Sequence, residues 1–171
     1  MIIPLIQVQR AQLVDAKGFA AKYNHPVLIW AGTPRARPDE DEREASTQSG
    51  GAARPADGEV LVVAVQKQHS KANAFAMGIT VGRVSTNDIV LDDPSVSRFH
   101  GYLQHDERKD TWSLTDAGSQ NGTQVNGKRI EGHQPIESGA TLQFGEVVTR
   151  FLLPGPFRAW VEAGGELAAL G

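Results

Sequence analysis

Arg83, Ser97 and the glycine-bounded run Gly118-Ser119-Gln120-Asn121-Gly122 are the residues of this chain best suited to holding a phosphate ester. An arginine offers a planar, permanently charged fork, a serine a short hydroxyl donor, and a glycine-bounded loop main-chain N–H groups held in tight turns. His100, three residues after Ser97, invites a second reading as the base of a serine nucleophile. The chain has no Gly-x-Ser-x-Gly elbow and no obvious third carboxylate to orient the imidazole, so that reading is rejected. His100 and His105 are five residues apart on one expected strand and would point to opposite faces, which argues against a metal pair. Asn121-Gly122-Thr123 is formally a glycosylation acceptor, a reading that lapses without a secretory signal.

The elements that must position these residues follow from length and composition. A chain of 171 residues can bury one ordinary core with a small appendage. It contains no cysteine, which removes disulfides, thiolate metal sites and cysteine nucleophiles and fits a reducing, cytoplasmic setting. The apolar start Met1 to Ile6 is interrupted by Gln7, Gln9 and Arg10 too early for a secretory signal, and no run approaches the roughly 20 apolar residues needed to cross a bilayer. A net charge of −3 argues against nucleic acid as a partner.

Along the chain, Asp15 reads as an N-cap for a short helix over 16–23, ended by Asn24-His25-Pro26, and Val27-Leu28-Ile29-Trp30 reads as a short buried strand. Residues 1–32 therefore form a small helix-strand appendage expected to dock on the main domain or on another subunit. Residues 33–58 hold three prolines, six acids and four arginines and almost nothing apolar enough to repay ordering, so they read as a flexible linker. From residue 59 the period becomes that of strands, with short apolar or alternating runs at 60–65, 79–82, 101–104, 111–115, 123–125, 128–130, 141–144 and 147–153. Asn126-Gly127 is a two-residue hairpin signal, because both residues tolerate positive φ. This spacing predicts an all-β sandwich or barrel over 59–153. After Pro154-Gly155-Pro156, residues 154–171 read as a helical segment that Gly164-Gly165 divides into two short pieces.

Over roughly residues 59–153 the ordered set of motifs resembles the forkhead-associated (FHA) domain family. The matching residues are Gly82-Arg83, Asn87-Asp88-Ile89-Val90-Leu91, Ser97-x-x-His100, Trp112-Ser113-Leu114-Thr115-Asp116, the Gly118 to Thr123 run, Asn126-Gly127 and Gly139…Leu142…Phe144-Gly145. Each is weak alone, and their order and spacing make the set specific. The resemblance implies a twisted FHA-type β-sandwich with short N-terminal and C-terminal helical appendages, its binding loops gathered at one end. It also implies a non-catalytic phosphothreonine-peptide recognition module in a bacterial-type Ser/Thr kinase pathway, with no cofactor and no metal. In that reading Arg83, Ser97, Arg98, Gln120 and Asn121 contact the phosphopeptide, the Asn121 carboxamide by hydrogen bonds to the peptide main chain, while Gly82, His100, Gly122, Thr123 and Asn126 brace the loops. Gln120 stands where threonine or serine is often found. A small apolar recess would take the threonine methyl, so phosphoserine should bind about 1 to 2 kcal/mol more weakly.

Simpler readings stand beside these. Arg83 could pair with Asp88 or Asp92, Ser97 could bond only its own loop, and Lys128 and Arg129 could form an ordinary solvated face. Phe99, Trp112, Leu114, Leu142 and Phe144 read as core. The alternative function is structural: an assembly scaffold, a homo-oligomer or part of a larger machinery, whose apolar terminal segments need a partner surface. Thr47, beside acidic residues in the linker, is a candidate for phosphorylation and capture by the chain's own loops.

Overall fold

The computed structural model describes residues 1–32, 54–68 and 75–170. Its strands are β1 (Ile2–Pro4), β2 (Val27–Ala31), β3 (Val60–Ala64), β4 (Ile79–Gly82), β5 (Ile89–Val90), β6 (Gly101–Asp106), β7 (Thr111–Asp116), β8 (Thr123–Val125), β9 (Lys128–Arg129), β10 (His133–Ile136), β11 (Thr141–Phe144) and β12 (Val147–Leu152). They form a seven-stranded sheet in the order β1-β3-β2-β12-β11-β8-β9 and a five-stranded sheet in the order β10-β7-β6-β4-β5. Every described pairing is antiparallel except β4 with β5. Three helices, α1 (Leu5–Val14), α2 (Ala16–Lys22) and α3 (Pro154–Glu162), complete the fold with a 3-10 turn at Leu167–Leu170. The β-sandwich read from the sequence is the fold observed, with the helical additions at both ends.

Alternate residues of the same strands serve two cores. Leu28, Trp30, Leu61, Val63 and Phe151 point between the sheets, where Leu103, Leu114, Leu142 and Phe144 meet them. Val27, Ile29, Val62 and Leu152 point the other way and are covered by Leu5, Val8, Phe19, Tyr23, Phe157 and Trp160 of the helices and their caps. Burial on both faces is why β2 and β3 read as continuous apolar runs instead of alternating ones. It also sets the place of β2: Val27–Ala31 is hydrogen-bonded between β3 and β12, inside the sheet, instead of docking on it from outside. The apolar N-terminal segment thus completes the sandwich through its strand and shields it through its helices.

Local signals account for the helix ends. Asp15 caps α2 by accepting from the Gly18 N–H at 2.9 Å, as its position predicts. The C-terminal segment breaks at Gly164 and Gly165, with φ of 104° and 66°, conformations that favour glycine. Strands β1, β5 and β10 and helix α1 lack a sequence counterpart. Helix α1 follows Pro4 with no side-chain cap and buries only Leu5 and Val8, so its pattern is faint. Residues 54–59 are held on the fold: Gly32 donates to the Glu59 carbonyl at 2.8 Å, and Arg54 pairs with Asp93 at 2.8 Å. Thr47 and the acidic run before it lie outside the described residues.

Candidate phosphopeptide recess

The recess is built where β4 ends. Gly82 has no room for a side chain: a Cβ there would stand 2.3 Å from the Arg98 carbonyl and 2.6 Å from the Asn87 amide nitrogen. This close approach lets Arg83 leave the strand at the rim. Its N–H donates to the Ser97 carbonyl at 3.0 Å and its Nε to the Val96 carbonyl at 3.2 Å, pinning the guanidinium to the 92–100 loop. Arg83 makes no ion pair among the described residues. Asp88 instead accepts from Lys67 Nζ at 2.9 Å and from Thr80 N–H at 2.8 Å. Burial alone would raise the Asp88 carboxyl, and these hydrogen bonds, with that from Gln68 N–H, hold it below the usual carboxylate range.

Arg83, Ser97, Arg98 and Gln120 line an open recess of about 350 Å³ together with Pro94, Ser95, Val96 and Phe99. Ser97 joins two loops, because its Oγ accepts from the Gln120 N–H at 3.0 Å. The hydroxyl hydrogen remains to donate into the recess. Asn121 does not line it; its Nδ2 donates to the Ser95 carbonyl at 2.8 Å, which holds the 118–122 loop against the 92–100 loop. Four of the five residues read as ligand contacts therefore share one cavity, and the fifth sits beside it.

Beneath them lies a buried polar floor. His100 is fully buried; its Nδ1 accepts from Ser97 N–H at 3.0 Å, so Nε2 carries the proton and donates to the Gly122 carbonyl at 3.1 Å. Burial pushes its pKa below the ordinary histidine value, against the opposing influence of Gly122 and Asp116. Both ring nitrogens are occupied by the scaffold, leaving no base for Ser97. Gly122 has φ of 84°, and a Cβ there would meet the Arg129 guanidinium at 2.7 Å. Thr123 is buried and donates to Asp116 at 2.5 Å. Asn126 takes φ of 51° and Gly127 76°, closing the β8–β9 hairpin, and Asn126 Oδ1 accepts from Thr141 N–H at 2.9 Å. Lys128 and Arg129 are exposed and outside the recess lining.

Two carboxylates organise the loops without having been singled out as braces. Asp116 accepts from the N–H groups of Gly118 and Ser119 and from the hydroxyls of Ser119 and Thr123. Burial opposes its ionisation, and these four donors outweigh it, keeping the carboxyl below its ordinary range. Asp93 accepts from Ser95 N–H at 2.9 Å and Ser95 Oγ at 2.6 Å while paired with Arg54. Asp followed at two or three residues by Ser or Gly is the signature of an Asx turn, the signal that identifies both. One expectation is corrected: Phe99 is not core. His100 turns inward, so its neighbour Phe99 turns out, is 41 % exposed and lines the recess.

Residues 79–145 match the FHA domain family. The chain is 37% identical over 73 residues to the oxoglutarate dehydrogenase inhibitor of Corynebacterium glutamicum, covering 43% of this chain and 49% of that protein. It is 36% identical over 86 residues to human kanadaptin, covering 44% of this chain and 12% of that protein. The chain thus spans less than half the length of these curated relatives. Among solved structures it is similar to Mycobacterium tuberculosis EmbR in complex with a low-affinity phosphopeptide, at 28% identity and a TM-score of 0.42, over 46% of this chain and 20% of that one. The ordered motifs and the two-sheet sandwich agree with the FHA domain match over residues 79–145.

Proposed function

We propose that the chain is a non-catalytic module that binds a threonine-phosphorylated segment of a partner protein, made by a Ser/Thr kinase. The observation that carries this reading is the convergence of the Arg83 guanidinium, the Ser97 hydroxyl and Arg98 on one open recess, above a histidine whose two nitrogens are both engaged. Arg83 and Ser97 hold phosphate oxygens and Arg98 adds positive charge. Asn121 reaches the peptide main chain by exchanging its bond to Ser95, and Gln120 closes one wall. Charge-assisted donors pinned in advance cost little reorganisation on binding, which suits an anion of about −1.5 to −2 charges at neutral pH. We read residues 59–153 as the recognition domain, with β2 inserted into its sheet from the N-terminal segment.

The scaffold alternative drew its force from apolar terminal segments in need of a partner surface. Those segments have one inside the chain, the second core beneath the helices. The test is calorimetry with three versions of one peptide, carrying phosphothreonine, phosphoserine and unmodified threonine. We expect saturable binding of the first, weaker binding of the second by about 1 to 2 kcal/mol, and none of the third. Equal binding of all three, or concentration-dependent oligomerisation without phosphopeptide binding, overturns the reading.

A further inference from the structure

Phe99 is an exposed aromatic ring on the wall of a recess otherwise lined largely by polar and charged groups. Single exposed apolar residues are ordinary, and this one is set apart by its support. Its ring stacks on Tyr102 at 6.5 Å with an interplanar angle of 9°, and packs against Phe75 at 5.6 Å. Phe75 in turn packs on Tyr102 at 4.8 Å. Tyr102 stands on β6, and the Phe75 main chain is clamped by Lys67, whose Nζ donates to the carbonyls of Phe75 at 2.6 Å and Gly78 at 3.0 Å and to the buried Asp88 carboxylate at 2.9 Å. Phe99 and Tyr102 thus form a near-parallel slab braced by the tilted Phe75 ring, with Phe99 exposed at the recess.

We propose that this slab selects the peptide: Phe99, backed by Phe75 and Tyr102, receives an apolar side chain of the phosphorylated segment within two positions of the phosphothreonine. The inference rests on the phosphothreonine reading of the recess and adds a preference to it. The occupant is set by continuity, since Phe99 and Arg83 are walls of one cavity. A cavity of 350 Å³ is about 7 Å across, the span of roughly two extended residues, so a chain with its phosphate on Arg83 passes over Phe99. A leucine, methionine or aromatic side chain lying there loses water against a surface that is already ordered, while glycine or aspartate gains nothing. Lys67 acts at one remove as a positioning residue, because it fixes Phe75 and through it the tilt of Phe99.

The experiment is a phosphothreonine peptide library randomised at the two positions on each side of the phosphothreonine, screened against the whole chain and against Phe99→Ala, Phe99→Leu and Lys67→Met. The best apolar peptide and its glycine counterpart are then measured by fluorescence polarisation. We expect the wild type to enrich leucine, methionine or aromatic residues at one of these positions. Phe99→Ala should lose about five- to tenfold affinity for the apolar peptide and no more than about twofold for the glycine peptide, Phe99→Leu should keep most of the preference, and Lys67→Met should weaken it in part. Phosphothreonine binding with no apolar preference at these positions, or equal losses for both peptides, overturns this inference and leaves the recess reading intact. Absence of phosphothreonine binding by the wild type overturns both. A wild type that self-associates through Phe99, with dispersal by Phe99→Ala and no peptide preference, assigns the slab to a second copy of the chain and also overturns it.

Discussion

The loop end of the sandwich and the helix-covered face of the seven-stranded sheet bury their side chains by opposite means. The loop end buries a set of polar groups, Asn87, Asp93, His100 and Thr123, each hydrogen-bonded to a named partner. No buried side-chain nitrogen or oxygen among the described residues lacks a partner. Under the helices the buried set is apolar: Val8, Phe19, Phe157 and Trp160, with Tyr23, whose rings pack at centroid distances of 4.7 to 6.3 Å. Hydrogen bonds are directional and contribute little net stability each, whereas apolar burial is non-directional and contributes much. The loop end therefore fixes where donors stand, and the helical face supplies the stability that lets it do so.

That division can be broken most sharply under the helices. Phe157 is fully buried against Phe19, Tyr23 and Trp160, and Phe157→Ala should cost about 3 to 5 kcal/mol of stability. Phosphopeptide affinity, measured well below the lowered melting temperature, should stay within about twofold. Denaturant unfolding and calorimetry on the same sample check both halves. A large loss of affinity in the folded variant would mean that the helical layer also shapes the recess.

Arg83→Ala is the converse. The side chain is half-buried at the rim and contributes one bond to the scaffold, to the Val96 carbonyl, so melting should barely change. Losing a charge-assisted contact to phosphate should cost about 1.5 to 3 kcal/mol in affinity. Unchanged affinity would remove Arg83 from the site.

His100→Ala falls between the two. It orphans the Ser97 N–H, leaves the Gly122 carbonyl with only the Gly145 N–H as donor, and empties space beside Phe144, whose ring lies 5.6 Å away edge-on. A stability loss of about 1 to 3 kcal/mol should come with weaker binding, since both loops of the recess lean on this ring. Full stability with lost binding would turn His100 from a brace into a ligand contact.

The same contrast explains what was legible in the sequence. Strands with both faces buried announce themselves by apolar runs, and turns such as Asn126-Gly127 by residues that tolerate positive φ; these placed most of the sandwich. Strands β5 and β10 are short, and β10 carries a proline at residue 135 and three exposed residues, so neither has a pattern to find. Helix α1 exposes Ile6 and Leu13 while burying Leu5 and Val8, which blurs its periodicity. At the recess, Arg83 and Ser97 were legible because their chemistry is specific to anions. Phe99 was not, since an aromatic between an arginine and a histidine reads as core until the inward turn of His100 forces it outward. Nor could the sequence say that the Val27–Ala31 strand enters the sheet between β3 and β12, because strand order across the 28 residues between β2 and β3 leaves no local trace.

The smallest effect is the one that separates the floor from the rim by pH alone. Burial lowers the His100 pKa below its ordinary 6.5, so between 6.5 and that lower value the unfolded chain binds a proton that the folded chain refuses. Stability from this group is therefore complete above pH 6.5 and falls as pH drops through that window. The carboxyls of Asp88 and Asp116, also lowered, add their own losses only below their ordinary value of 3.8, so the two windows do not overlap at mildly acidic pH. Melting followed from pH 7.5 to pH 5 should show a gentle decline in the wild type and a shallower one in His100→Asn. Arg83→Ala should follow the wild-type slope, because the Arg83 side chain bonds the Val96 carbonyl and not the His100 ring. Identical slopes for the wild type and His100→Asn would show that the loop end tolerates a charged imidazole, and that its floor is less rigid than its hydrogen bonds imply.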